Sequence, residues 1–271
     1  ICFVDTAKLE YSSKDINSKK IRGGESSLIN LSKNISKFGN DVYVFNNCKN
    51  ELFSKKYNWL NINRIKNFRD NFDIIVSNND TKVLSNFNCN RKFVLSHSIL
   101  TLEKSIRKGQ LLPYFLNKPK YLLLGNYHKQ QMSKFFSFYG SQVINYGVDE
   151  IVENQVLPEN IDENLAFFTS RQDRNLNILI DVWKNKVFKK NKNSRLLITP
   201  ISKNYNKFNI YNRKMLDKPN FIKELVKSRM VILPGHKAEL YCIAALEALL
   251  RETCGFQIGT CSLVGAYGRG T

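Results

Sequence analysis

The chain alternates short apolar runs with longer helix-spaced segments, and it does so twice. ICFVD opens the first series as a strand, and the polar stretch Thr6–Arg22 reads as a loop. GGESSLINLSKNISKFG then places Leu28, Ile29, Leu31, Ile35 and Phe38 at helical spacing. Gly23 and Gly24 open that helix, Glu25 suits its positive amino end, and Gly39 stops it. DVYVFNN follows at once as a second strand. DIIVSN, KFVLSHS, YLLLGN and QVINYG come later, each short and rich in β formers, with HKQQMSKFFSFYG as a further helix. Strands that alternate with helices imply right-handed βαβ crossovers and a parallel sheet.

The character changes near Asp149. GVDEIVENQVLPENIDEN is acidic and turn-rich in a basic chain, as expected of a linker between domains. The alternation then restarts. LAFFTS, RLLITP, MVILP and GFQIGT read as strands; NLNILIDVWKNKVF, PNFIKELVKSR and AELYCIAALEALLRE read as helices. The expected fold class is therefore α/β, with two Rossmann-type domains over residues 1–150 and 151–271 and parallel sheets facing a central cleft. Ligands of such sheets bind outside the carboxyl ends of the strands, which makes the cleft the natural site. Ile1 already lies inside a strand-like run and GAYGRGT follows a strand signal, so the reading is of a piece cut at both ends, its second domain incomplete.

Composition narrows the class. The 271 residues are 42% hydrophobic and 12% aromatic, which excludes a disordered chain, and 13 Gly with 6 Pro exclude a collagen-like one. No apolar run approaches the roughly 18 residues of a membrane span. Six scattered cysteines form no C-x₂-C pair, so they read as reduced, mostly buried thiols. The net charge of +19 is spread along the chain, with clusters at Lys19–Arg22, Lys55–Lys56 and Lys184–Arg195. It reads as a generally basic surface that allows peripheral contact with an anionic membrane. No RNP-like run interleaves aromatics with the charge, so a nucleic-acid partner is not expected.

The segment MVILPGHKAELYCIAALEALL carries the most chemistry. A strand ends at Pro234 and a helix is expected to open near Ala238–Glu239. On such a helix Glu239 and Glu247 sit about 12 Å apart along the axis. Free N–H groups from about Leu240 and Tyr241 would present a phosphate site at its amino end. A ligand with a hydroxyl-rich group, a diphosphate and a ribose meets all three features. An amphipathic helix with one capping and one solvated glutamate is the plain alternative.

This segment resembles the signature of retaining GT-B glycosyltransferases, glycosyltransferase family 4 in particular. GGESSLINLSKNISKFGNDVYVF is similar to that family's first Gly-rich loop, helix and second strand; INYGVD to its NGVD segment; FTSRQDRNLNILIDVW to its phosphate-contacting strand, turn and helix. The resemblance implies that Glu239 faces the donor sugar and Glu247 binds the ribose hydroxyls. It puts Arg171 and Arg174 on the diphosphate and Gly23 and Gly24 in the loop that approaches it. Two guanidiniums after a strand suit bidentate phosphate bonds in their own right. His97, at the end of KFVLSHS, resembles an amino-domain histidine that faces the donor sugar. His128 and His236 have less support. No metal site is implied, and no cofactor beyond a nucleotide-diphosphate sugar as donor substrate. The departures are the absence of Gly soon after Glu239, a shortened arginine turn with Asn175 in place of Gly, and the early carboxyl end.

The implied function is transfer of a hexose-type sugar, with retention, from a nucleotide sugar to a sugar, lipid-linked or protein acceptor. The first domain would be the acceptor side and the second the nucleotide-sugar side, in the cytoplasm or at a membrane periphery. An inactive or truncated relative that only binds the nucleotide sugar is the second reading. A nucleotide-sugar epimerase and a basic nucleic-acid-binding protein are weaker ones.

Overall fold

The computed structural model describes residues 1–18, 21, 23–68, 71–149, 152, 154, 160–214, 216–236, 240–249 and 254–258, with the side chains of 244, 249 and 254–258 left aside. The chain divides between Tyr146 and Gly147 into two compact units.

The first unit is a seven-stranded sheet. Its strands are β1 (Cys2–Asp5), β2 (Val42–Asn46), β3 (Tyr57–Asn61), β4 (Ile75–Asn78), β5 (Lys92–Leu95), β6 (Lys120–Leu123) and β7 (Ser141–Val143). They run in the order β3-β2-β1-β4-β5-β6-β7, every ladder parallel. The order reverses between β1 and β4, which is where an open α/β sheet leaves a crevice for a ligand. The central strands are buried on both faces, hence their near-continuous apolar runs. Cys2 and Val4 join Phe45, Leu60, Ile75, Val94 and Leu123 in one core, while the alternate residues Phe3 and Val44 are buried on the other face.

The helices are α1 (Gly23–Lys37), α2 (Leu102–Arg107), α3 (Leu111–Asn117) and α4 (Asn126–Gln131). Helix α1 begins at the Gly pair, and Gly39 beyond its end takes φ +90°. HKQQMSKFFSFYG is not one helix. It is the end of α4 and a separate 3₁₀ turn, Lys134–Ser137. The break lies at Met132–Ser133, where the Ser133 N–H leaves the helical ladder for the Leu100 carbonyl, and Phe135 and Phe136 pack on Tyr114. The Thr6–Arg22 stretch is partly anchored. Tyr11 and Ser12 are buried, and the Tyr11 hydroxyl donates to Asp5 at 2.6 Å.

The second unit is a five-stranded parallel sheet in the order β10-β9-β8-β11-β12. Its strands are β8 (Asp162–Phe167), β9 (Arg195–Ile198), β10 (Ile210–Asn212), β11 (Ser228–Pro234) and β12 (Cys254–Ile258). The order reverses between β8 and β11. Phe167, Val231 and Leu233 face one core with Ile222, Leu225 and Cys242. Their neighbours Ala166, Phe168 and Ile232 face the other with Leu179, Trp183 and Leu196. That alternation makes both faces of β8 and β11 interior. Strand β8 starts at Asp162, so the end of the acidic stretch belongs to the sheet, where Asp162 pairs in register with Ser228.

Among the described residues, these helices cover the faces. Helix α5 (Leu176–Val182) passes through a π turn, Trp183–Val187, into Phe188–Lys190. Helix α6 (Lys218–Leu225) is capped by Asp217, which accepts from the Asn220 N–H at 3.0 Å, with Pro219 in its first turn. Helix α7 is Ile243–Leu249. It opens later than Ala238–Glu239. The Cys242 carbonyl accepts its first bonds, from the Ala245 and Leu246 N–H groups. Leu240, Tyr241 and Cys242 are buried ahead of it, and burying that apolar triplet takes it off the helical path.

Candidate functional site

In the second unit, the turn after β8 carries Arg171 and Arg174, and the loop after β11 carries Gly235 and His236. The Arg174 guanidinium donates to His236 Nδ1 at 2.8 Å, and the Asn175 amide donates to the Gly235 carbonyl. The two segments are thus tied together at the carboxyl ends of the two strands where the order reverses. Asn175 holds the turn closed at φ +59°, the left-handed conformation that glycine ordinarily supplies and asparagine tolerates. Arg171 is placed differently. Its side chain is 75% exposed and pairs with Asp173 at 2.7 Å on the surface.

Glu247 lies on α7 and is 2% exposed. Lys218, the first residue of α6, pairs with its carboxylate. Burial raises the Glu247 pKa, the Lys218 ammonium opposes the rise, and Asp149 adds to it. Glu239 lies outside the described residues. Helix α7, which carries Glu247, begins at Ile243. The Leu240 and Tyr241 N–H groups are not its free amino-terminal donors. Those donors belong to Ile243 and Ala244, the first residues of α7.

One cation here had no sequence signal. Arg213 follows β10, and its guanidinium stands 5.2 Å from the Phe221 ring and 5.8 Å from Phe167. Burial lowers its pKa. Its Nε is buried with no hydrogen-bond partner among the described residues. Only the strand order could have found it, since β10 is a three-residue strand in a polar stretch.

In the first unit, Gly24 and His97 come together. A Cβ added at Gly24 would meet His97 Nδ1 at 4.0 Å, ordinary contact, so packing within the protein does not demand glycine there. The Tyr146 hydroxyl hydrogen-bonds to His97 Nδ1 and the two rings stack at 5.8 Å. Burial lowers the His97 pKa to about 4, and burial raises that of Tyr146. The pair is neutral at pH 7: His97 does not hold a second proton and Tyr146 does not lose its own. That suits hydrogen bonding to a ligand, not general-acid work. His128 is structural. It is buried, its Nδ1 accepts from the Leu124 N–H at 3.3 Å, and its Nε2 donates to the Ser98 carbonyl at 3.1 Å.

Beside His97 lies a polar pocket of about 380 Å³, at the ends of β1 and β4 where the first sheet's order reverses. Asp5, Thr6, Asn78, Asn79, Asp80 and Gln110 contribute to its lining, with Lys82 and Lys108. Asn79, at φ +59°, accepts from the His97 N–H at 2.7 Å. Asp80 accepts from Thr6 at 3.2 Å and from the Lys82 N–H at 2.9 Å. Asp5 and Asn78–Asp80 stand in no motif, only at strand ends.

No family model and no curated protein sequence matches the chain. Solved structures do. WaaG, a glycosyltransferase involved in lipopolysaccharide biosynthesis, matches with TM-score 0.68 at 11% identity, over 97% of this chain and 82% of that one. An alpha-glucosyltransferase in complex with UDP and a 13-mer DNA matches with TM-score 0.62 at 11% identity, over 94% and 79%. A glycosyltransferase from Rickettsia africae ESF-5 matches with TM-score 0.58 at 11% identity, over 99% and 82%. At such identities the likeness is one of fold, and the fold is the GT-B glycosyltransferase fold of two Rossmann-like units.

Proposed function

We propose that this chain is a glycosyltransferase that moves a sugar from a nucleotide-diphosphate donor to a hydroxyl acceptor, with retention, in the manner of glycosyltransferase family 4. The observation that carries the reading is the arginine turn. Arg174, anchored to the loop after β11 at the reversal of the second sheet, is a fixed cation where such sheets take phosphate. The donor nucleotide belongs to this unit. The family resemblance assigns Glu247, which here is 2% exposed and paired with Lys218, to its ribose, Arg174 and Arg171 to its diphosphate, and Glu239 to its sugar.

In the reaction the bond from the anomeric carbon to the diphosphate oxygen breaks and a bond to the acceptor oxygen forms on the same face. The leaving diphosphate takes the acceptor proton, so no carboxylate base is required. Preorganised guanidinium and backbone N–H donors stabilise the charge that develops on the leaving group without a bound metal. Gly23 and Gly24 leave room for the donor phosphate, and neutral His97 donates to or accepts from the sugar. The acceptor belongs to the first unit. The pocket of Asp5, Asn78, Asn79 and Asp80 is rich in acceptor oxygens, which favours a hydroxyl-rich carbohydrate over a peptide. The UDP in the alpha-glucosyltransferase complex makes uridine donors the first to try.

A thermal-shift screen of UDP-, GDP- and ADP-sugars, followed by product analysis with the best donor, tests the reading. Stabilisation by one nucleotide class and glycoside formation are expected. Stabilisation without transfer to any carbohydrate would favour the binding-only reading, and no stabilisation by any nucleotide would end both.

A further inference from the structure

We infer that the second unit carries a docking surface for the phosphate backbone of a nucleic acid, at the end of its sheet opposite the ligand crevice. Residues 182–216 hold ten lysines and arginines and no acid, so more than half of the net charge of +19 sits in this one stretch. The stretch contains no RNP-like run, and its cations come together only in the fold. Three segments meet: the π turn Trp183–Val187, the turn that leads into β9, and a 3₁₀ turn, Asn206–Phe208, that leads into β10. The Trp183 indole N–H donates to the Phe208 carbonyl at 3.1 Å, and the Asn209 amide donates to the Lys192 carbonyl at 2.7 Å. The Phe188 and Phe208 rings meet edge to face at 5.8 Å. Each segment sets one ammonium over this pair. Lys192 is 4.2 Å from the Phe188 ring, and Lys184 and Lys207 are 5.4 and 5.1 Å from the Phe208 ring. An aromatic face attracts a cation, so the rings hold these charges close together. Lys192 and Lys207 are exposed. Of the ten cations, only Lys184 and Arg195 have an acid partner among the described residues, Asp181 at 3.6 Å and Asp162.

Strands β9 and β10 run parallel to β8, so the turns that lead into them lie at the amino ends of the strands. The crevice beside Arg174 lies at the carboxyl ends. The surface is therefore separate from the donor site, and the inference does not depend on the proposed reaction. The chemistry of the surface selects the partner. No large apolar side chain from Trp183 to Lys214 is exposed, so the surface lacks the apolar anchor that a bilayer contact adds to its cations. An acidic protein offers separate carboxylates. A nucleic-acid duplex carries one charge per about 1.7 Å of its axis, and clustered lysines bind it by releasing its condensed counterions. The Phe188 and Phe208 faces already hold ammoniums, so contact is with phosphates and not by stacking on bases. Such contacts position a backbone without reading its sequence.

Fluorescence anisotropy of the full chain with a labelled short DNA duplex tests it. Similar affinity for two unrelated sequences is expected, falling steeply as salt rises. Lys192→Glu/Lys207→Glu should weaken binding about tenfold or more and make the slope of log K against log salt shallower by about 2. Lys189→Glu/Lys190→Glu, at the end of the helix that carries Phe188, should do the same and keeps the test open if the first variant folds poorly by circular dichroism. Lys33→Glu/Lys55→Glu makes the same change of net charge in the first unit and should leave affinity within about twofold, since charges beyond a Debye length are screened. Equal weakening by this last variant overturns the inference, because total charge and not this surface would then be what binds. So does unchanged affinity in both variants of the second unit, or an absence of duplex binding at physiological salt. Capture by anionic vesicles or by polyglutamate at least as tight as by the duplex, lost in the same two variants, would assign the surface to a different partner and overturns it too.

Discussion

Removing the Lys218 ammonium tests how the second unit tolerates a carboxylate in its core. Glu247 is 2% exposed, while the Lys218 side chain keeps 26% of its surface. Breaking a buried pair from one side costs about 3–5 kcal/mol, because the remaining charge is stranded. The two single variants are therefore unequal. Lys218→Met strands the buried carboxylate and should cost about 3 kcal/mol, the lower end, since a carboxyl can escape by taking up a proton. Glu247→Gln leaves an ammonium that reaches water and should cost about 1 kcal/mol. Lys218→Met/Glu247→Gln should recover most of the lysine variant's loss, which is a large share of a stability of about 5–15 kcal/mol. The pH dependence follows from the sign of the shift. Burial already raises the Glu247 pKa against the pull of Lys218, and losing the lysine raises it further. A carboxyl whose folded pKa exceeds its unfolded value near about 4.3 binds its proton first in the folded state. The destabilisation is absent below the unfolded value and grows as pH rises toward and past the folded one. Urea melts at about pH 5 and about pH 7.5 should thus show a larger Lys218→Met deficit at the higher pH. A deficit that does not change with pH, or a Glu247→Gln loss as large as that of Lys218→Met, would refute the stranded-carboxylate argument.

Gly24→Ala should leave the protein as stable as wild type or up to about 1 kcal/mol more so, since alanine favours α1 and meets only His97 at 4.0 Å; transfer activity should fall if the glycine makes room for donor phosphate. Arg174→Ala should lower kcat about 10²-fold with a smaller change in donor affinity, and exposed Arg171→Ala should do less; the reverse order in steady-state kinetics counts against the anchored arginine. His97 and His128 should both remain neutral down to about pH 5 in an NMR titration, since burial lowers each pKa from 6.5 to about 4. Depressed histidines lose stability as pH falls from 6.5 toward 4, and His128→Gln should flatten part of that slope in urea melts. Activity should persist in excess EDTA; complete loss restored by Mg²⁺ would point to a metal-bound diphosphate instead.

Much of the fold could be read from hydrophobic period alone, because buried parallel strands are short apolar runs and β formers such as VYVFN and MVILP leave little choice. The elements that escaped are those whose residues follow tertiary demands. YNWLN became β3 through its ladder with β2, although asparagines flank its apolar centre. IYN became β10 in the same way beside β9. Helices α2 and α3 are each under eight residues, and α3 contains Pro113 in its first turn, so neither offers a full period to detect. Conversely, HKQQMSKFFSFYG has helical spacing that fails, since Phe135 and Phe136 gain more by reaching Tyr114 than by staying in register on α4.

The candidate site divides along the same line. Residues fixed by backbone conformation left a trace in the sequence: Asn175 stands at a left-handed position in the arginine turn and Gly23 and Gly24 at a helix start. Residues fixed by strand order left none. Asp5 and Asn78 are far apart in the chain and adjacent at the ends of β1 and β4, where Asp5 and Asn78 pair in register. Lys218 sits opposite Glu247 only because α6 and α7 pack beside β11. Both sheets reverse their order immediately beside these groups, β1 against β4 in one unit and β8 against β11 in the other. A reversal sends the two neighbouring crossovers to opposite faces, and the strand ends between them are left uncovered. Polar side chains collect there because the backbone carbonyls and N–H groups at strand ends need partners. The same geometry that builds a Rossmann-like unit therefore creates the place for a ligand before any specific residue is chosen. The chain's own choices at these places are an arginine anchored on His236 in one unit and a pocket of carboxylates and amides in the other.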